Sequence, residues 1–283
     1  MPIDIIDIAS QGSGAVNEDR TGSAGTLAWV IDGATDLVET PLVGEHSDAA
    51  WLSEQTQRRL EVFQLKELDD LAELPIELAR HLADAFYEQT RRQPAAQWEH
   101  PSAAAMITRT RQGALEWISL GDCALIVETP DGLKSIGVGS PNAGDPGVSS
   151  TLQRIRKQHS MNSDTQRLTR MLPELRKGRG ENLNQPGGYG VISITPPPAD
   201  LISTGTLPVA RGSHALLATD GLMRLVEIFA RHDAASLLEA AKATGLNGLI
   251  NELRSLEDAD NDCHGYPRVK RSDDATALLI RIR

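Results

Sequence analysis

Short apolar segments that end at an aspartate recur along this chain, and they constrain its fold more than any other feature. Residues 27–31 are apolar and run directly into Asp32 and Gly33. A short apolar run that stops at Asp-Gly is typical of a buried strand followed by a turn. Such a strand would carry the Asp32 carboxylate to one end of a sheet, although Asp-Gly by itself is also a common turn dipeptide.

The same pattern occurs three more times. Apolar runs end at Asp122 and at Asp220, and the pair Asp273 and Asp274 precedes the largely apolar residues 275–280. If these strands are neighbours, their aspartates gather at one edge, where carboxylates raise one another's pKa. A hard cation with oxygen ligands, such as Mg²⁺ or Mn²⁺, would relieve that repulsion.

Composition narrows the class of protein. The chain has 283 residues, 40% of them hydrophobic, which is enough for a substantial core. Its formal net charge of -11 argues against a partner as anionic as nucleic acid. The chain has two cysteines and no signal-peptide pattern. It also has no run near the roughly 18 apolar residues of a membrane span. These features predict a cytoplasmic protein without a membrane segment.

The predicted elements indicate antiparallel sheets with helices around them. Ser47 or Asp48 is a suitable cap for a first helix, and Pro75 suits the first turn of a second. Residues 103–109, 114–120 and 123–128 then form short strands in quick succession, with few residues between them. Such spacing favours antiparallel pairing over a doubly wound parallel sheet.

Residues 140–188 are less regular and rich in basic side chains, although 166–175 has a helical pattern. Two interpretations stay open for this segment. It is either a solvated linker or a flap whose positive charge meets an anionic substrate or partner.

Five short motifs, taken together and in order, resemble those of the metal-dependent protein phosphatases, the type 2C or PPM family. Each motif is weak alone, but the series spans nearly the whole chain. The motifs are Asn17-Glu18-Asp19, Val30-Ile31-Asp32-Gly33, Leu120-Gly121-Asp122, Ala218-Thr219-Asp220-Gly221-Leu222 and Asp273-Asp274-Ala275-Thr276.

The resemblance implies an α+β fold, a four-layer α-β-β-α sandwich in which helices flank two antiparallel β-sheets. It implies that residues 1–283 form a single phosphatase domain, with residues 140–188 as a flap segment within it. A metal centre would lie at one end of the sandwich.

The resemblance also implies roles for individual residues, in a centre of two Mn²⁺ or Mg²⁺ ions with a third, weaker site. Asp32 matches the aspartate that bridges the metals, and the Gly33 carbonyl matches a metal ligand. Glu18 and Asp19 match the acidic pair that holds metal-bound water. The remaining metal ligands are Asp220, Asp273 and, at the third site, Asp122; Asp274 stands where the family commonly has Asn, which leaves the choice between Asp273 and Asp274 open.

Three positions depart from the family pattern. Gly14 replaces the usual phosphate-binding arginine, so a bidentate contact is lost unless Arg20 or a flap arginine supplies it. Ala34 replaces a frequent histidine, and Cys123 replaces the usual serine after Gly-Asp. These differences indicate a divergent, bacterial type of member.

The function implied is hydrolysis of phosphoserine or phosphothreonine on proteins by a metal-activated water, in signalling. The partner would be a phosphoprotein, with neither nucleic acid nor membrane involved, and the sequence leaves the oligomeric state open. Two alternatives remain, a catalytically weak regulatory or binding module and a hydrolase of small phosphate esters on the same fold.

Overall fold

Two antiparallel sheets form the centre of the structure. The computed structural model describes residues 1–63, 70–138 and 163–283. The strands in these ranges are β1 (Ile3–Gln11), β2 (Arg20–Ala24), β3 (Leu27–Gly33), β4 (Ser102–Arg111), β5 (Ala114–Leu120), β6 (Ala124–Thr129), β7 (Gly132–Ile136), β8 (Ile192–Ser193), β9 (Ser203–Pro208), β10 (His214–Ala218) and β11 (Ala275–Ile282).

The strand order places the chain's aspartate-bearing segments in both sheets. The first sheet has the order β1-β11-β10-β6-β7 and the second has the order β2-β3-β4-β5-β9, with β8 paired to β4. Asp32 near the end of β3 lies opposite Ala104 of β4, and Leu120 at the end of β5 lies opposite Ala105. Ala218 at the end of β10 lies opposite Ala277 of β11. Strands β3, β5 and β10 therefore end at or next to Asp32, Asp122 and Asp220.

Helices cover the outer faces of both sheets. Ser47 is the N-cap of the first helix, where its side chain accepts a hydrogen bond from the Ala50 amide, and Pro75 lies in the first turn of the second, as predicted. No helix within the described residues is both long and apolar enough to cross a membrane. The helices are α1 (Asp48–Val62), α2 (Leu74–Gln89), α3 (Asp164–Asn182), α4 (Asp220–Glu227), α5 (Ala234–Thr244) and α6 (Leu246–Ala259).

Three apolar clusters hold the layers together. Trp29 and Ile107 of the second sheet pack with residues of α1 and α2. Val30 and Leu278, which belong to different sheets, lie in the cluster between the sheets. A third cluster joins the first sheet to α4, α5 and α6. This is the four-layer α-β-β-α sandwich predicted from the sequence, so the α+β fold class is confirmed.

The prediction of a helix over residues 166–175 is confirmed, and the observed helix α3 is longer at both ends. Ser163 caps it by accepting a hydrogen bond from the Gln166 amide. Of the predicted flap segment, residues 140–162 lie outside the described residues. The part that is described therefore begins at Ser163 and is largely helical.

A close approach of two backbones brings Asp220 beside the start of β11. A Cβ atom added at Gly221 would lie 1.8 Å from the Asp274 carbonyl oxygen and 3.3 Å from the Ala275 Cα. Only glycine lets the first turn of α4 rest against this backbone. The contact fixes the separation between Asp220 on α4 and Asp273 just before β11.

Replacing Gly221 with alanine is expected to destabilise the fold, because the added methyl group would push α4 and β11 apart. The loss in free energy of unfolding should be about 1–3 kcal/mol, the usual cost of overpacking a well-packed interior. Urea unfolding followed by circular dichroism measures it. Gly14→Ala is the matched control, since a Cβ there meets nothing within 4 Å. Equal stability of the two variants would contradict this account of Gly221.

Candidate metal centre

The ends of the aspartate-bearing strands meet at one pocket of about 440 Å³. Its lining includes Asp32 near the end of β3, Asp122 between β5 and β6, Asp220 at the start of α4 and Asp273 just before β11. Gly33 lines it as well, so all five residues of the predicted metal set border the same space. The structure thus brings together residues that are up to 241 positions apart in the sequence.

Asp32 and Asp220 are close enough for their negative charges to interact. Burial and then the charges of Asp220 and Asp19 raise the pKa of Asp32 well above its ordinary range. Burial and the charge of Asp273 also raise the pKa of Asp220. The metal-free centre therefore favours the protonated form of these carboxyl groups.

Glu18 and Asp19 lie directly behind this pair. A Cβ atom added at Gly33 would lie 2.7 Å from the Glu18 carbonyl oxygen, so the two backbones touch. Burial raises the pKa of Glu18 to about 7 although Ser47 donates a hydrogen bond to its side chain. Asp19 accepts a hydrogen bond from Thr219 Oγ1 at 2.9 Å, while its Oδ1 is buried and has no hydrogen-bond partner within the described residues. That oxygen is available to a further donor or cation.

Asp273 differs from the other carboxylates because two cations contact it. Arg224 Nη2 lies 2.9 Å from Asp273 Oδ2, and Lys270 Nζ lies 3.1 Å from Oδ1. Burial raises the pKa of Asp273, but these charges outweigh it and hold that pKa below its ordinary value. The fully buried Glu257 fixes the arginine by accepting a hydrogen bond from Arg224 Nη1 at 2.9 Å. Asp273 is therefore ionised and firmly oriented.

The neighbouring Asp274 is used for structure. Its Oδ1 accepts hydrogen bonds from the Ser13 amide and hydroxyl at 2.7 and 3.0 Å, and its Oδ2 accepts one from the Glu18 amide at 2.6 Å. These bonds tie the loop before β2 to the start of β11. Since Asp273 lines the pocket and Asp274 does not, the geometry favours Asp273 as the ligand.

The donor set suits a hard divalent cation, because it consists only of oxygen atoms. An excess of carboxylates over balancing cations also favours such an ion. Even so, within the described ranges no three or more His, Cys, Asp or Glu side chains are gathered in the geometry of a metal cage. The assignment of Asp32, Gly33, Asp122, Asp220 and Asp273 as metal ligands stays a prediction.

Two basic residues of the pocket were not assigned a role from the sequence. Arg179 belongs to the basic segment 140–188, and Lys270 lies three residues before Asp273. Both line the pocket, and both contact Thr35: Arg179 Nη2 donates to its carbonyl oxygen at 3.0 Å, and Lys270 Nζ contacts its hydroxyl at 2.5 Å. The only signal for Lys270 is a basic stretch just before Asp273.

The departures noted in the sequence are visible at the site. Ala34 lines the pocket and donates its amide to the Ser102 carbonyl, so a methyl group occupies the position that would hold an imidazole. Gly14 is exposed. Arg20 is committed to the loop, because its Nη1 donates to the carbonyl oxygens of Asn17 and Asp19.

Comparison with solved structures finds the same architecture in serine/threonine phosphatases. The chain matches the phosphatase PstP of Mycobacterium tuberculosis with a TM-score of 0.54 and 14% identity, over 100% of both chains. It matches the catalytic domain of PstP in complex with two manganese ions equally well, at 0.54 and 14%, over 100% of this chain and 99% of that one. The chain has the fold of these phosphatases.

A serine/threonine phosphatase of S. agalactiae is similar too, with a TM-score of 0.52 and 13% identity over 99% of this chain and 100% of that chain. No protein-family model matches the chain, and no curated protein matches it in sequence. At such low identity the likeness establishes the fold alone.

Replacing Asp122 with asparagine should stabilise the metal-free protein at pH 8. Burial and then the charge of Asp220 raise the pKa of Asp122 to about 7 from an ordinary 3.8. Between these values the folded state binds more protons than the unfolded state, so the stability due to this group falls as pH rises. The neutral amide of asparagine removes the destabilisation that ionised Asp122 causes in the folded state.

Thermal unfolding in EDTA tests this expectation. For Asp122→Asn we expect a Tm increase of about 2 °C or more at pH 8 and a smaller one at pH 5, where the carboxyl is already protonated. Asp84 is exposed, so Asp84→Asn should leave the Tm nearly unchanged at both pH values. A lower Tm for Asp122→Asn at pH 8 would show that the charged form of Asp122 does not destabilise the folded protein.

Proposed function

We propose that this chain is a metal-dependent phosphatase that hydrolyses phosphoserine and phosphothreonine on proteins. One observation carries the proposal: four half-buried aspartates, at or beside strand ends of both sheets, border one pocket in a fold shared with serine/threonine phosphatases. Carboxylates gathered in this way repel one another unless a cation is bound among them. The manganese ions of the PstP complex are a precedent for such an ion in this fold.

Asp32, Asp220, Asp273 and the Gly33 carbonyl would hold the ions, with Asp122 at a third site. Bound Mn²⁺ or Mg²⁺ would supply an activated water and neutralise charge on the phosphoryl oxygens. The protein's own residues prepare this chemistry. Arg224 and Lys270 keep Asp273 ionised and oriented, and a bound cation would relieve the repulsion between Asp32 and Asp220.

The positions of Glu18 and Asp19 also support the proposal. Both lie behind Asp32, and each is held by a hydroxyl group, from Ser47 and Thr219 respectively. The unpartnered Asp19 Oδ1 is an acceptor of the kind that orients a water molecule. We therefore assign these two residues to positioning water beside the ions.

A regulatory module that binds a phosphoprotein without turnover is the second candidate. Ala34 on the pocket wall favours it, because this residue supplies no general acid. The buried carboxylates argue against it, since a pure binding site gains nothing from them. A hydrolase of small phosphate esters is the third candidate and would use the same centre.

Asp32→Asn and Asp220→Asn should each reduce phosphate release by roughly 10²-fold or more, because each removes a charged ligand that stabilises the reacting phosphoryl group. Release is measured from a phosphothreonine peptide and from p-nitrophenyl phosphate, with Mn²⁺, with Mg²⁺ and with EDTA. Circular dichroism verifies that both variants are folded. The exposed Asp84→Asn serves as the control and should retain full activity.

The outcomes separate the three candidates. Metal-dependent turnover of the peptide with a higher kcat/KM than the small ester supports the protein phosphatase. A preference for the ester supports the third candidate. Absence of turnover in the wild-type protein, together with phosphopeptide binding, favours the regulatory module. Undiminished activity in both variants would overturn the assignment of the site.

A further inference from the structure

The pocket contains a cation whose charge no acidic side chain balances directly. Arg179 projects from helix α3 into the pocket lining. Its one recorded hydrogen bond is from Nη2 to the Thr35 carbonyl oxygen, at 3.0 Å. It makes no ion pair of 4 Å or less with any acidic side chain in residues 1–63, 70–138 and 163–283. A guanidinium has five N–H donors, so this contact leaves donors for a ligand.

The other basic residues near the site are already engaged. Lys270 is paired with Asp273, and Arg20 donates to carbonyl oxygens of its own loop. Arg224 is held between Glu257 and Asp273. Of the basic residues on the pocket wall, Arg179 and Lys270, only Lys270 forms an ion pair within the described residues.

Arg176, on the same helix, has a purely structural role. Arg176 donates Nε and Nη2 to the Leu37 carbonyl oxygen at 3.0 and 2.7 Å, and its guanidinium lies 4.6 Å from the centre of the Trp98 ring. It does not line the pocket. The two arginines are thus less than one helical turn apart, yet only Arg179 lines the pocket.

We propose that Arg179 binds the phosphoryl oxygens of the substrate, in place of the arginine that this chain lacks at Gly14. This inference rests on the proposed function. A phosphate dianion entering a pocket lined by four aspartates needs a fixed cation in addition to any bound metal ion. A half-buried guanidinium supplies one with paired donors suited to two phosphoryl oxygens. The phosphoryl-binding group would then come from α3, so docking of this helix would complete the site.

The test is the affinity of the Mg²⁺-loaded protein for inorganic phosphate, measured by isothermal titration calorimetry. For Arg179→Met we expect the Kd to rise by about 10- to 100-fold, as for loss of a charge-assisted hydrogen bond. Arg179→Lys keeps the charge but loses the paired donors, so its Kd should lie between those of wild type and Arg179→Met. Arg176→Met is the matched control and should bind phosphate like wild type.

Steady-state kinetics on a phosphothreonine peptide provide the second measurement. We expect Arg179→Met to raise KM and lower kcat/KM, and Arg176→Met to change neither. A general loosening of α3 would affect both variants alike and would lower their Tm together. Equal phosphate affinity in Arg179→Met and wild type, or an equal loss in both Met variants, overturns the inference.

The two proposals fail in different ways. If the wild-type protein releases phosphate from the peptide but Arg179→Met binds phosphate normally, the role of Arg179 is wrong and the phosphatase assignment stands. If the wild-type protein binds phosphate through Arg179 but releases none, the phosphatase assignment is wrong and the binding role stands. No binding of inorganic phosphate by the wild-type protein overturns the inference directly.

Discussion

Repulsion among clustered carboxylates is the constraint on which the rest of this structure depends. Asp32, Asp122 and Asp220 lie where the strands of two sheets end, and burial leaves their charges poorly screened. The apolar strands that precede them build the core, so the acids cannot be moved away without disturbing the packing. The protein must therefore neutralise them in place, with protons, internal cations or bound ions.

Internal cations neutralise only one side of the centre. Arg224 and Lys270 face Asp273, and the buried Glu257 keeps Arg224 in position. Mutual repulsion instead raises the pKa of Asp32 and of Asp220. Asp273 is therefore held ionised by internal cations, whereas Asp32 and Asp220 would need a bound cation to favour their charged forms.

Much of this architecture could be predicted from the sequence because its signals are local. A strand that ends at Asp32, or a helix that begins after Ser47, is specified by residues within a few positions. The strands β2 and β9 were missed because both lie at an edge of the second sheet and consist mainly of small and polar residues. Their pairing depends on neighbouring strands rather than on an apolar pattern of their own.

The basic residues of the site could not be predicted, because they have no local signal in the sequence. Arg179 and Lys270 come together at Thr35 only through tertiary packing, and neither belongs to a short motif. Their presence bears on function. A site that merely needed stability would replace buried acids with apolar residues, since buried ion pairs contribute little net stability. Retaining acids and cations around one pocket is instead what binding of a cation together with an anion requires, and a phosphoryl group held beside a metal ion is such a combination.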